Sequence, residues 1–86
     1  MNMPTIRRET VALRLNRTVL RREMARLHIS QAELAGRAGM HRNSIHLLLS
    51  GQREPSLATV DALARALNVS PFTLLTDEAD EEEEEL

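Results

Sequence analysis

The sequence predicts an all-α fold of five short helices, and three observations carry that reading. Apolar residues recur at helical spacing, most clearly Val19, Leu20, Met24 and Leu27, and again Leu57, Val60, Leu63, Ala64 and Leu67. Asn16, Ser30, Ser56 and Ser70 stand ahead of such stretches, where a short polar side chain can accept from the free amides of a first turn. Gly39, Gly51 and Asn68 follow them, and these residue types tolerate the left-handed conformation that ends a helix. With 86 residues the chain has room for one domain. There is no cysteine and Phe72 is the one aromatic residue, so an aliphatic core has to hold the fold without disulfide or thiolate zinc.

Residues 1–15 read as an N-terminal arm. Val11, Leu13 and Leu15 alternate with Ala12 and Arg14, which favours a short strand, although Thr10 could instead cap an early helix. A single strand has no obvious mate in a helical chain, so its expected partner is its copy in a second subunit. The first helix runs from a cap at Asn16 to about Leu27, with His28 at its exit. Ser30-Gln31-Ala32-Glu33 has the form of a capping box, and Ile29 and Leu34 fit a hydrophobic staple across it. Helix two is therefore expected over 31–38, ending at Gly39. Helix three follows from about Arg42 to Ser50, with Ile45, Leu48 and Leu49 on one side and Gly51 as its stop. Two short helices joined through a glycine give a helix-turn-helix plan over 30–51. Ser56 caps helix four. Ser70 and Pro71 open a last short helix whose Leu74 and Leu75 would face inward.

Charge divides the chain. Residues 1–76 carry a net +6, all of it from arginine, whereas 77–86 carry −8, and the two nearly cancel to −2. The expected organisation is an arm (1–15), a basic domain (16–76) suited to phosphate, and an acidic tail (77–86) that repels itself and stays disordered. The tail reads first as a solubilising end; the sharper alternative is a mimic of phosphate that competes for the basic face.

Several function classes are not expected. No apolar run approaches the roughly 20 residues of a membrane span and no signal-peptide core follows the start, which points to a cytoplasmic protein without a membrane partner. His41 and His46 are five residues apart and fall on different helix faces, so no metal site is expected. No nucleophile and base stand at a recognisable spacing and no glycine-rich phosphate loop is present, which argues against an enzyme and against a cofactor.

The residues Ser30, Gln31, Leu34, Ala35, Gly39, Ser44 and Ile45, then Gly51 and Pro55, resemble the Cro/cI-type (XRE) helix-turn-helix regulators. The likeness continues through Leu63, Ala64, Leu67, Val69, Ser70, Leu74 and Leu75, so it spans about 17–75. It implies a phage-repressor-like domain whose helix three enters the major groove of double-stranded DNA. Arg42 and Asn43 would lead the base contacts, arginine suiting guanine and asparagine adenine, with His46 and Leu47 one turn on. Gln31 at the start of helix two resembles the family's phosphate-holding glutamine. Further phosphate contacts are implied for His41, Ser44, Ser50, Gln52 and Arg53, with Arg17 and Arg21 adding to the clamp.

Because one such module buries little surface on DNA, a homodimer on a palindromic operator is expected, and a domain this small would act as a repressor by occupying a promoter. The dimer interface would use either the last helix with Phe72, Leu74 and Leu75, or the strand from Val11 to Leu15. The alternative is a protein-interaction role such as an antitoxin, for which the short, non-apolar extensions leave little to wrap a toxin partner. Two departures from the family pattern stand out. Many members carry an arginine where this chain has Met24 and a glutamate where it has Leu49, forming a partly buried ion pair; here the two apolar side chains are expected to meet. His28 stands where glycine is usual; a left-handed residue there would be somewhat strained, though histidine tolerates it better than most, which leaves the exit of helix one open.

Overall fold

A computed structural model describes residues 13–77. Strand β1 (Leu13–Leu15) leads into α1 (Arg17–Leu27), α2 (Gln31–Ala38), α3 (Arg42–Ser50) and α4 (Leu57–Leu67), followed by a 3-10 turn (Pro71–Leu74) and strand β2 (Leu75–Asp77). No helix among the described residues is long and apolar enough to cross a membrane.

The helix boundaries follow the caps. Asn16 Oδ1 accepts from the Val19 amide at 3.1 Å, and Ser56 Oγ from the Thr59 amide at 3.1 Å. The capping box forms in both directions: Ser30 Oγ accepts from the Glu33 amide at 3.0 Å, and the Ser30 amide donates to Glu33 Oε1 at 2.8 Å. At the other ends Gly39 (φ 71°) and Gly51 (φ 85°) are left-handed, as are Asn68 (φ 61°) and His28 (φ 58°). His28 thus ends α1 in the left-handed region although no glycine stands there.

The core is aliphatic. Leu20, Leu34, Ile45, Leu63, Leu67 and Leu74 are fully buried, and Ala35 keeps a small side chain in the interior beside them. The helix α2 packs against both α3 and α4, and the 3-10 turn packs on α4. Met24 and Leu49, standing where an ion pair would be, are buried members of this same core. No polar or charged residue is buried among the described residues.

Four expectations are corrected. The strand does not rely on a second subunit, because β1 pairs antiparallel with β2 in the register Leu13↔Asp77, Arg14↔Thr76 and Leu15↔Leu75. The return is set up next door: the Asn16 amide donates to the Leu74 carbonyl at 2.7 Å, bringing the chain after the turn alongside the chain before α1. The fifth helix is a single 3-10 turn, since Ser70 takes the Phe72 amide on its hydroxyl and the Thr73 amide on its carbonyl, and Leu75 is already extended. Asp77 closes β2 and so belongs to the fold, not to the tail. Leu57, expected in the buried stripe of α4, is 75% exposed, because it opens the helix and its side chain precedes the core. The alternative cap at Thr10, residues Val11 and Ala12, and the acidic run from 78 to 86 lie outside the described residues.

Candidate nucleic-acid interface

Two helix N-termini open onto one cleft. Its lining comprises Ser30, Gln31 and Ala32 from the start of α2 and Arg42, Asn43 and His46 from the start of α3. The short turn through Gly39 brings the two starts together. The amides of a first turn have no intrahelical acceptor, so each start presents donors and the positive end of a helix dipole. At α2 the capping box engages the Glu33 amide and leaves the first two, Gln31 and Ala32, pointing outward from the helix start. At α3 the N-cap His41 makes no side-chain cap bond, so this terminus is open as well. Arg42 adds a full positive charge, and no acidic residue lines the cleft. The ensemble suits an anion approaching along α2 and a planar, hydrogen-bonding edge lying against α3.

The residues singled out from the sequence fall into separate groups. Gln31, Arg42, Asn43 and His46 meet in the cleft, the last three exposed. His41 is exposed at the α3 cap, and Leu47 is half-buried on the flank of α3. Ser50, Gln52 and Arg53 form a second cluster where α3 runs into its following loop, and Arg53 reaches back to Ser44 in the first turn of α3. Gln52 Nε2 donates to Ser50 Oγ at 2.9 Å, the Ser50 hydroxyl donates to the Leu47 carbonyl at 3.2 Å, and Arg53 Nη1 reaches Ser44 Oγ at 3.5 Å. The Leu47 carbonyl also takes the amides of Gln52 and Arg53, which folds the loop back on the helix end.

Arg17 and Arg21 point elsewhere. Arg17 Nε donates to the Leu48 carbonyl at 2.7 Å, and its Nη2 reaches Glu54 Oε2 at 2.6 Å and the Arg53 carbonyl at 3.4 Å. Arg21 Nη2 donates to the Leu49 carbonyl at 2.8 Å. These guanidinium groups bind the C-terminal end of α3, where carbonyls lack intrahelical donors and the dipole is negative. Sequence reasoning missed this use and missed Glu54 entirely; the available signal was the four-residue spacing of the two arginines, which puts both on one face of α1. It also read Ser30 as a cap alone, whereas Ser30 and Ala32 line the cleft too.

A helix-turn-helix family model matches residues 20–74, taking in the cleft, the loop and the last turn. The chain belongs to the Cro/cI-type helix-turn-helix family. This helix-turn-helix protein is accordingly a DNA-binding regulator. Among solved structures it is similar to the restriction-modification controller protein C.AhdI from Aeromonas hydrophila, with 32% identity, a TM-score of 0.64, and coverage of 66% of this chain and 86% of that one. It is also similar to the hypothetical transcription factor NHTF from Neisseria, with a TM-score of 0.65 over 86% of this chain and 95% of that one. At 24% identity the second likeness bears on the fold alone. No curated protein matches the chain.

Proposed function

We propose that this protein is a sequence-specific regulator that represses transcription by occupying a palindromic operator as a homodimer. The observation that carries the reading is the cleft in which Gln31, at the open start of α2, faces Arg42, Asn43 and His46 at the open start of α3. With α3 in the major groove, Arg42 and Asn43 meet base edges, and His46 and Leu47 follow one turn deeper. Gln31 and the α2 amides hold a phosphate, while His41, Ser44, Ser50, Gln52 and Arg53 take neighbouring backbone positions. The first set reads and the second positions.

A single module of this size buries too little surface for strong specificity, which favours two copies on half-sites about one helical turn apart. Of the apolar residues considered for the dimer contact, Leu15 and Leu74 are buried in the core and Leu75 is half-buried, whereas Phe72 is 77% exposed. A dimer contact centred on Phe72 is the version these exposures favour. Repression by occupancy suits so small a domain, and the protein's setting is the cytoplasm, where its DNA lies.

Selection of bound sequences from a random duplex pool, at near-physiological salt, tests the reading. The native chain should enrich a palindrome, and Arg42→Ala should lose information at one position in each half-site while the others persist. Binding that enriches nothing and only fades as salt rises would overturn sequence-specific recognition and favour a protein-directed role.

A further inference from the structure

We infer that Arg17 is a positioning residue for DNA recognition: it locks the end of the reading helix to the phosphate-contacting loop and makes no DNA contact itself. The inference rests on the proposed role of α3 and deepens it.

The geometry is that of a junction. One guanidinium makes three contacts on two segments: the last turn of α3 through the Leu48 carbonyl at 2.7 Å, and the loop after it through the Arg53 carbonyl at 3.4 Å and a 2.6 Å ion pair with Glu54. A planar fork with donors on several edges can do this, whereas an ammonium group cannot hold the same directions. The Arg17 side chain is 19% exposed against 49% for Glu54, so the cation is the inner member of the pair. It also lies over the stop of α3, since a Cβ built on Gly51 would sit 3.7 Å from Arg17 Nε. Arg21, one turn along the same face of α1, takes the next carbonyl, Leu49. Two consecutive carbonyls of the reading helix are thereby tied to α1, a helix that lines no part of the cleft.

This placement has a consequence for recognition. The carboxylate of Glu54 already neutralises Arg17, and its Nε and Nη2 donors already have acceptors, so Nη1 is the donor group left to offer a phosphate. What Arg17 controls is the direction in which α3 leaves its own C-terminus, and with it the alignment of Arg42, Asn43 and His46 against bases while Gln52 and Arg53 meet the backbone. A buried ion pair does not tie α1 to α3 here, because Met24 and Leu49 pack as hydrophobes. The directional, hydrogen-bonded link between the two helices is the arginine pair at the helix end.

The test is a salt titration of binding to an enriched duplex and to a random duplex, with the full chain carrying Arg17→Gln, Glu54→Gln or Arg42→Ala. A residue that touches phosphate contributes about 0.9 to the slope of log affinity against log salt and acts alike on all sequences. For a positioning residue, Arg17→Gln should weaken the enriched duplex on the order of tenfold and leave both the random duplex and the slope nearly unchanged. In sequence selection it should blunt every position read by α3 together, unlike the single position lost by Arg42→Ala. Should Arg17→Gln fail to fold, Glu54→Gln carries the test, since it keeps the bond to Leu48: the ratio of specific to random affinity should fall about threefold at constant slope. A slope lower by about one with parallel loss on both duplexes in Arg17→Gln, or a slope higher by about one with the ratio intact in Glu54→Gln, would show Arg17 on phosphate and overturn the inference. No effect of either variant would overturn it too. If Arg42→Ala also leaves specificity untouched, the reading of α3 itself has failed, and the two failures are thereby told apart.

Discussion

At the scale of single residues, the exchange at Met24 and Leu49 puts two hydrophobes where many family members carry an ion pair. An ion pair between α1 and α3 brings desolvation costs that its attraction barely offsets, and two hydrophobes that pack well can stand in for it. In this chain both positions are nearly sealed, at 8% and 6% exposed. The pair therefore has to change together. Met24→Arg alone should destabilise the fold by about 3–5 kcal/mol in urea unfolding, because an unpaired charge is left inside. Adding Leu49→Glu to the same chain should recover a large part of that loss. A single variant that unfolds like the native chain would show that Met24 has a route to solvent, contrary to the packing described here. His28 makes the complementary point: at a position where the family usually has glycine, histidine takes the left-handed backbone that ends α1.

At the scale of elements, the four α-helices were legible because local chemistry marks their ends, at both ends of α1, α2 and α4 and at the Gly51 stop of α3. Asn16, Ser30 and Ser56 cap with their side chains, and His28, Gly39, Gly51 and Asn68 close in the left-handed region, so the bounds needed no knowledge of tertiary structure. The small sheet was half legible. Alternation marked Leu13 to Leu15 as extended, but β2 has three residues, too few to show a period, and its Asp77 looked like the beginning of the acidic run. The two strands are about 60 residues apart in sequence, a pairing no local pattern can announce. The cleft was legible through the motif; the Arg17–Glu54 tie was not, for the same reason of separation along the chain. The sheet is nonetheless part of the core, since Leu15 is 2% exposed. Leu15→Ala should cost about 2–5 kcal/mol by denaturant unfolding, a large share of the stability of so small a domain. A loss under about 1 kcal/mol would mean that the strands merely decorate the helices.

At the scale of the whole molecule, the account joins a charge division to a mode of binding. The positive charge of residues 1–76 favours association with a phosphate backbone at long range, and the cleft supplies the directional groups that turn association into reading. The proposed dimer would set the spacing of two such clefts. If Phe72 is the centre of the contact, Phe72→Ser should shift sedimentation equilibrium toward monomer and weaken operator binding while leaving the unfolding midpoint close to native, since the side chain is solvent-exposed in the single chain. An unchanged dimer would move the interface elsewhere on the surface.

The claim on which the rest depends is that DNA is met at the cleft between the starts of α2 and α3. Amide chemical-shift mapping of the labelled full chain, titrated with an enriched duplex, tests it most directly. The account predicts that Gln31, Ala32, Arg42, Asn43 and His46 shift most, with Gln52 and Arg53 next, while Ala62 and Ala66 in the middle and last turns of α4 stay near their free positions. Leading shifts along α4, with the α2 and α3 starts unmoved, would contradict it.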